Sequence, residues 1–147
     1  GIPYAKEKSG TGKGEQNAGE RKRMIVYSLH GERVAEIGAR GAPLDSERGV
    51  ADLIAEAIGS AARFVAIPAE RLSADFFQLS TRKAGQFIQK FVNYRLRPAI
   101  LGDISAHIEA SAPLADFVRE SNSGQSVWFV LDSHELHQRL VSTAAGD

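Results

Sequence analysis

The chain has 147 residues, of which 43% are hydrophobic and 24% are charged, as is typical of one globular domain with a single core. Its 18 lysines and arginines balance its 18 aspartates and glutamates, so we expect no nucleic acid and no anionic membrane surface as partner. It has no cysteine, which excludes disulfides and thiolate chemistry and agrees with a cytoplasmic location.

The first 22 residues, GIPYAKEKSGTGKGEQNAGERK, contain almost no large apolar side chains. Such a segment buries too little surface to offset its chain entropy, so we predict a disordered tail over residues 1–22. The stretch SGTGKGE does not match a phosphate-binding loop, because Lys13 is followed by Gly14 and no strand precedes it. We predict one folded domain over residues 23–143 and a flexible C-terminus over 144–147.

From Arg23 onwards, the sequence predicts a β-hairpin followed by alternating helices and strands. The stretches MIVYSLH and RVAEIG flank a turn at Gly31, and the first helix is capped by Asp45 or Ser46. The stretch ISAHIEASAP is either a loop or a loop with one helical turn. The other predicted elements are a strand at 63–68, a helix at about 81–94, a strand at 99–103, a helix from Pro113, a strand at 127–131 and a last helix capped by Ser133.

The three buried strands are separated by helices, so we expect them to be parallel and joined by right-handed crossovers. The predicted fold class is therefore α/β, with an N-terminal β-hairpin followed by alternating α/β units and a mixed sheet with a parallel core. Trp128 and Phe129 are adjacent in a strand, so they point to opposite faces, and we expect both to be buried. The hairpin edge at 24–38 leaves room for a homodimer.

Two stretches, DFFQLSTRKAGQFIQKFVNYRLRPAILGDIS and LADFVRESNSGQSVWFV, resemble a bacterial family of domains of unknown function, number 4180. The order of elements over residues 23–143 is similar to the STAS fold, which is named after sulfate transporters and anti-sigma-factor antagonists. The family resemblance implies no activity, because none is established for that family. The STAS resemblance implies a non-catalytic regulatory or protein-interaction domain whose protein partner it does not identify.

In STAS domains that switch partners, a kinase phosphorylates a serine at the start of the helix after the first buried strand. The corresponding place here is Ser80–Thr81, although Arg82 follows the pair where those domains have glycine. A phosphoryl group there would be stabilised by the helix N-terminus and by Arg82 and Lys83. An unmodified hydroxyl there would cap the helix. The sequence leaves both interpretations open.

The alternative function is binding of a small ligand or anion, with an enzyme as one form of it. Free N–H groups at the helix start, with Arg82 or Lys83, are suited to an anion. Ligands of open α/β sheets gather at the carboxyl ends of the strands, where Asp103 follows Gly102. The same aspartate is also explained as a turn residue.

Further candidate pocket residues stand at the ends of two helices, namely Tyr94, Arg95, Glu120 and Asn122. Arg95 and Glu120 are expected to form a structural ion pair. His134 and His137 share a helix face, but no third ligand accompanies them, so we predict no metal and no cofactor. No Ser-His-Asp set and no paired carboxylates stand out, so no catalytic residue is assigned.

Overall fold

The structure, a computed structural model, describes residues 24–146, with side chains through residue 143. The tail predicted over 1–22 and the last residue of the terminus predicted over 144–147 lie outside the described residues. The strands are β1 Met24–Leu29, β2 Glu32–Ile37, β3 Phe64–Pro68, β4 Arg97–Leu101 and β5 Trp128–Val130. The α-helices are α1 Glu47–Gly59, α2 Lys83–Asn93, α3 Ser105–Ala110, α4 Ala112–Asn122 and α5 Ser133–Gly146. Short 3-10 turns occupy Ala69–Arg71, Ala74–Phe77 and Leu79–Thr81.

The strands form one mixed sheet in the order β1-β2-β3-β4-β5. β1 and β2 are antiparallel, and the remaining pairs are parallel. The hairpin turn places His30 and Gly31 at φ 52° and 83°, the positive values that a tight two-residue hairpin turn requires. The predicted fold class is therefore confirmed, including the N-terminal hairpin and the parallel core.

The two faces of the sheet are covered unequally. Helices α1, α2 and α4 pack on one face, where Val65, Ile67 and Ile100 belong to the same core as Phe87 and Leu114. Only α5 among the described helices packs on the opposite face, with the core residues Val34, Phe64, Ala66, Ala99, Trp128, Leu136 and Leu140. Phe129 belongs to the first core and Trp128 to the second, and both are buried as predicted. The pleat produces this separation, because successive side chains of a strand point to opposite faces.

The cap of α1 is one of the two predicted residues, whereas the cap of α5 differs from the prediction. α1 is capped by Ser46, whose hydroxyl accepts a hydrogen bond from the Gly49 amide at 3.0 Å, so the predicted alternative Asp45 is not the cap. At the start of α5 the cap is Asp132, whose carboxylate accepts a bond from the Glu135 amide at 2.9 Å. The predicted cap, Ser133, is wrong because its hydroxyl donates to Glu36 of β2 instead.

Three other segments refine the predicted boundaries. The ambiguous stretch 104–113 contains the six-residue helix α3, and α2 begins at Lys83 after a 3-10 turn. α5 continues through Gly146, so the helix overlaps the terminus at 144–147, whose flexibility stays a prediction. No helix within residues 24–146 is both long enough and apolar enough to cross a membrane.

All four strands from β2 to β5 run in the same direction. The sheet therefore has an amino edge, where these strands begin, and a carboxyl edge, where they end. Helices α1, α2 and α4 end near the amino edge because each leads into the following strand. Each of these two edges carries a cavity with polar side chains.

Candidate functional site

Thr81 is fixed by hydrogen bonds at the entrance to α2. Its hydroxyl lies 2.7 Å from the Asp75 carbonyl and 2.8 Å from the Gln78 carbonyl, and donates its one proton toward them. The hydroxyl oxygen also accepts a bond from the Lys83 amide at 3.2 Å. Thr81 therefore closes the turn and satisfies a free N–H of the helix, which is the structural role expected of a hydroxyl at this position.

Ser80 has a different environment from its neighbour. It is exposed, and its hydroxyl has no hydrogen-bond partner within residues 24–146. Arg82 is also exposed and has no side-chain partner in the same part of the chain, with its backbone in the left-handed region at φ 66°. Lys83 is engaged, because its Nζ donates to the Asp45 carbonyl at 3.2 Å. The predicted group of four thus contains two free polar side chains and two structural ones.

The carboxyl edge carries a cavity of about 470 Å³ between the ends of β3 and β4. Its polar and aromatic lining consists of Glu70, Ser73, Phe77, Asp103 and His107. The His107 ring stacks on Phe77 with centroids 4.3 Å apart and planes inclined by 11°. Asp103 is the predicted candidate in this cavity, and the residues at the start of α2 do not line it.

Asp103 also organises the turn that leads into α3. Its Oδ1 accepts a hydrogen bond from the Ser105 amide at 3.0 Å. Hydrogen bonds from the Ser105 hydroxyl and amide lower the pKa of Asp103 below its usual range. Its carboxylate is exposed and charged at neutral pH, so the turn interpretation accounts for its position without a ligand.

The amino edge carries a second cavity, of about 360 Å³, between the α2–β4 and α4–β5 loops. Its polar lining residues are Arg63, Arg95, Arg97, Gln125 and Ser126. Of the predicted candidates, only Arg95 lies here. Arg95 and Asp103 are separated by the whole of β4, whose five residues span about 16 Å at the usual rise of an extended strand. The ligand site predicted from residues 80–83 with Asp103 and Arg95 is therefore not assembled.

The remaining predicted pocket residues have separate environments. Tyr94 is 58% exposed, and Glu120 is exposed on α4. The expected Arg95–Glu120 ion pair does not form among the described residues. Asn122 is structural, because its Nδ2 donates to the Phe129 carbonyl at 3.1 Å and its Oδ1 accepts from the Phe129 amide at 2.7 Å.

Arg71 is a buried arginine that the sequence analysis does not single out. It is 5% exposed and follows β3, where it lines a cavity of about 410 Å³ beside the start of α1. Its Nε donates to the Ala42 carbonyl and its Nη1 to the Gly38 carbonyl, each at 2.9 Å, and burial lowers its pKa. A Cβ on Gly41 would lie 2.6 Å from the guanidinium, which explains the glycine. Arg71 thus holds the β2–α1 loop in place through backbone carbonyls.

A polar network fastens α5 to the hairpin. The Tyr27 hydroxyl donates to Glu36 Oε1 at 2.8 Å and lies 2.6 Å from His137 Nε2. Burial, followed by the hydrogen bond to Glu36, raises the pKa of Tyr27. His137 is therefore engaged in a structural contact. Among residues 24–146, no group of three or more side chains is arranged to hold a metal ion.

A comparison with protein-family models matches residues 29–140 to the domain of unknown function DUF4180. The chain belongs to this family. The match covers both stretches on which the resemblance to that family depends. No curated protein and no solved structure matches the chain, so membership of this family assigns it no activity.

Proposed function

We propose that this member of the family is a non-catalytic regulatory domain with a STAS-like arrangement, which binds a protein partner through the start of α2. The observation that carries the proposal is the environment of Ser80, an exposed hydroxyl without a hydrogen-bond partner in the described part of the chain. Modifying such a group changes the surface that a partner contacts and breaks no hydrogen bond among residues 24–146. The resemblance to STAS domains supports the proposal, because in those that are switched by phosphorylation the modified serine stands at the start of the corresponding helix.

The charges around Ser80 support phosphorylation as the switch. A phosphoserine carries a charge of about −1.5 to −2 at neutral pH. Here it would lie one turn before α2, whose N-terminus is positive, and two residues from the free guanidinium of Arg82. Thr81 is the poorer acceptor, since its hydroxyl already bonds two carbonyls and an amide. We therefore propose Ser80 as the modified residue and Arg82 as its neighbour in the partner-binding surface.

Two further properties belong to the same proposal. The absence of cysteine supports a cytoplasmic location for the domain. β1 stands at the end of the sheet, with no strand on its other side in the described residues, and Ile25 is 69% exposed there. A second copy of the chain is therefore proposed to pair along β1 and form a homodimer.

The test is to capture partners from the cytoplasm of the native host with the parent, Ser80→Asp and Ser80→Ala proteins. We expect Ser80→Asp to change the amount of one captured partner at least severalfold and Ser80→Ala to resemble the unmodified parent. Thermal melting should be unchanged in both variants, because the Ser80 side chain makes no hydrogen bond with the described residues. Mass spectrometry of the protein purified from its host should find phosphate on Ser80.

The matched control is Ser142→Asp, which adds the same charge at an exposed serine of α5. It should leave partner capture unchanged. If the parent, Ser80→Asp and Ser80→Ala proteins capture the same partners in equal amounts, the switch is refuted.

A further inference from the structure

Three arginines line the amino-edge cavity, which gives it an uncompensated positive charge. Arg63 lies 3.9 Å from Glu32, and their side chains are 58% and 37% exposed, so this contact is weak. Arg95 has no ion-pair partner within residues 24–146, and Arg97 has none either. Among the described residues, the lining of the cavity thus includes three arginines and no acidic residue.

The backbone of Arg95 shows that an arginine is not required for the local fold. α2 ends with the Leu96 amide bonded to the Phe91 carbonyl and the Arg95 amide bonded to the Val92 carbonyl, each at 2.9 Å. This is a Schellman ending, and it places Arg95 in the left-handed region at φ 61°, where glycine is preferred. The backbone at position 95 therefore favours glycine, yet the residue there carries a long charged side chain.

The end of α1 provides a direct comparison. Ala61 has φ 60°, and the Ala61 and Ala62 amides bond the Ile58 and Ala57 carbonyls at 3.0 and 2.9 Å. The two loops share the same geometry, yet one carries a methyl group and the other a long cation at the equivalent position. The difference adds a positive charge to the cavity, and the geometry of the loop does not account for it.

Arg97 is held in place by aromatic rings. Its guanidinium carbon lies 5.0 Å from the centroid of Phe64 and 5.4 Å from that of Trp128. Stacking occupies the faces of the guanidinium and leaves its N–H edge available for an acceptor. Burial, and then the charge of Arg63, lower the pKa of Arg97, while Glu32 raises it. An anion in the cavity would relieve the repulsion between the two arginines.

The rest of the lining supplies neutral hydrogen-bond donors. Gln125 and Ser126 are exposed and have no side-chain partners in the described part of the chain. The negative ends of α2 and α4, whose following loops line the cavity, offset about half a charge each, because a helix terminus carries roughly that partial charge. The volume of about 360 Å³ falls in the range of small-molecule sites, about 300–1,000 Å³.

We propose that the amino-edge cavity binds the phosphate group of a small phosphate monoester. Guanidinium groups donate two parallel hydrogen bonds to phosphate oxygens, and an anion complements the remaining positive charge. Arg63, Arg95 and Arg97 hold the phosphate, and Gln125 and Ser126 extend the hydrogen bonding toward the ester. The cavity is much larger than a phosphate ion, so it also accommodates the attached organic group.

Ligand binding can be followed by the fluorescence of Trp128, because it is the single tryptophan of the chain and lies beside Arg97. The full chain is titrated with glycerol 3-phosphate and, separately, with inorganic phosphate at constant ionic strength. We expect a saturable change of tryptophan fluorescence and a rise in melting temperature with each, at lower concentration for the monoester. Equal affinities would identify free phosphate as the ligand and overturn the monoester proposal. No saturable response to either probe would overturn the site.

Substitutions then test whether glycerol 3-phosphate binds in the amino-edge cavity. Arg95→Gly removes one guanidinium from a position that favours glycine, so the protein stays folded and should bind glycerol 3-phosphate about tenfold to a hundredfold more weakly. Ala61→Gly is the matched backbone control and Arg48→Ala is the control for loss of a distant charge. Both should titrate like the parent. An Arg95→Gly protein with the affinity of the parent, or an Arg48→Ala protein weakened as much as Arg95→Gly, would overturn the proposal.

Discussion

The two edges of the sheet carry opposite charges although the chain as a whole is neutral. At the amino edge, arginines stand side by side at the starts of three strands, with the Arg63 amide bonded to the Arg33 carbonyl and the Arg97 amide bonded to the Arg63 carbonyl. At the carboxyl edge, an acidic residue stands two positions after each of the last three strands, namely Glu70, Asp103 and Asp132. A balanced total charge therefore does not predict a neutral surface. In parallel strands, the residues at the strand starts all lie at one edge of the sheet, and the residues after the strand ends all lie at the other.

The edges also differ in how their charged groups are held. Asp103 is exposed and bonded within its own turn, and Asp132 caps α5. At the opposite edge, Arg97 and Arg139 contact Trp128, with Arg139 only 4.3 Å from its ring. The acidic edge is thus organised by local hydrogen bonds, and the basic edge rests on a buried aromatic side chain.

The largest effect is expected for Trp128→Ala, which removes the support of the basic edge. Trp128 is 1% exposed, and truncation of a buried aromatic side chain costs about 3–5 kcal/mol of unfolding free energy. The measurement is urea denaturation followed by circular dichroism. Leu131→Ala, at a neighbouring residue that is 58% exposed, serves as the control and should change stability by less than about 0.5 kcal/mol. A Trp128→Ala loss as small as that of the control would show that the basic edge does not depend on this ring.

A smaller effect, of opposite sign, is expected for Arg95→Gly. Glycine adopts the left-handed backbone without strain, which stabilises the folded state. It also adds chain entropy to the unfolded state, which offsets part of this gain, so the net stabilisation should be about 1 kcal/mol. Ala61→Gly should give a similar gain, since its φ differs by one degree. Both values come from urea denaturation in phosphate-free buffer. A loss of stability in Arg95→Gly alongside a gain in Ala61→Gly would show that the Arg95 side chain packs as a structural element.

The smallest effect concerns the acidic edge and its dependence on pH. The pKa of Asp103 is lower in the folded state, so the unfolded state binds more protons in acid. Its contribution is therefore complete above the ordinary aspartate pKa of 3.8 and is lost as pH falls through the lower folded value. Asp103→Asn should reduce the fall in melting temperature between neutral pH and acid. Ser105→Ala should reduce it only partly, because the Ser105 amide remains as a donor, and identical pH profiles for all three proteins would contradict this account.

The fold was predictable because its main elements have strong patterns. Runs such as FVAIP and SVWFV are short and rich in β-branched and aromatic residues, which indicates buried strands, and the spacing of Phe87, Ile88 and Phe91 is that of a helix face. α3 was ambiguous because it has no buried residue of its own and is only six residues long. The Ser133 cap was mispredicted because Asp132 competes for the same role one position earlier, and sequence spacing does not choose between them.

The site was harder to predict because proximity in sequence was misleading. Arg95 and Asp103 are close along the chain, but an extended strand carries them to opposite edges. Ser80 and Thr81 are equivalent in sequence, and only the course of the preceding turn decides which hydroxyl is engaged. The sequence does contain signals of the charged edges. In RPAILGD, for example, an arginine begins the strand and an aspartate follows its end.

The side-chain amide of Asn122 occupies the place of a sixth strand. It bonds both outward-facing backbone groups of Phe129, while the Val130 carbonyl on the same strand faces β4 and accepts from Gly102. This flank of the sheet offers no free groups at Phe129 for a foreign chain to continue the ladder. Among residues 24–146, β1 is then the flank left for strand addition, and pairing of two copies along β1 would leave no further strand edge for a third.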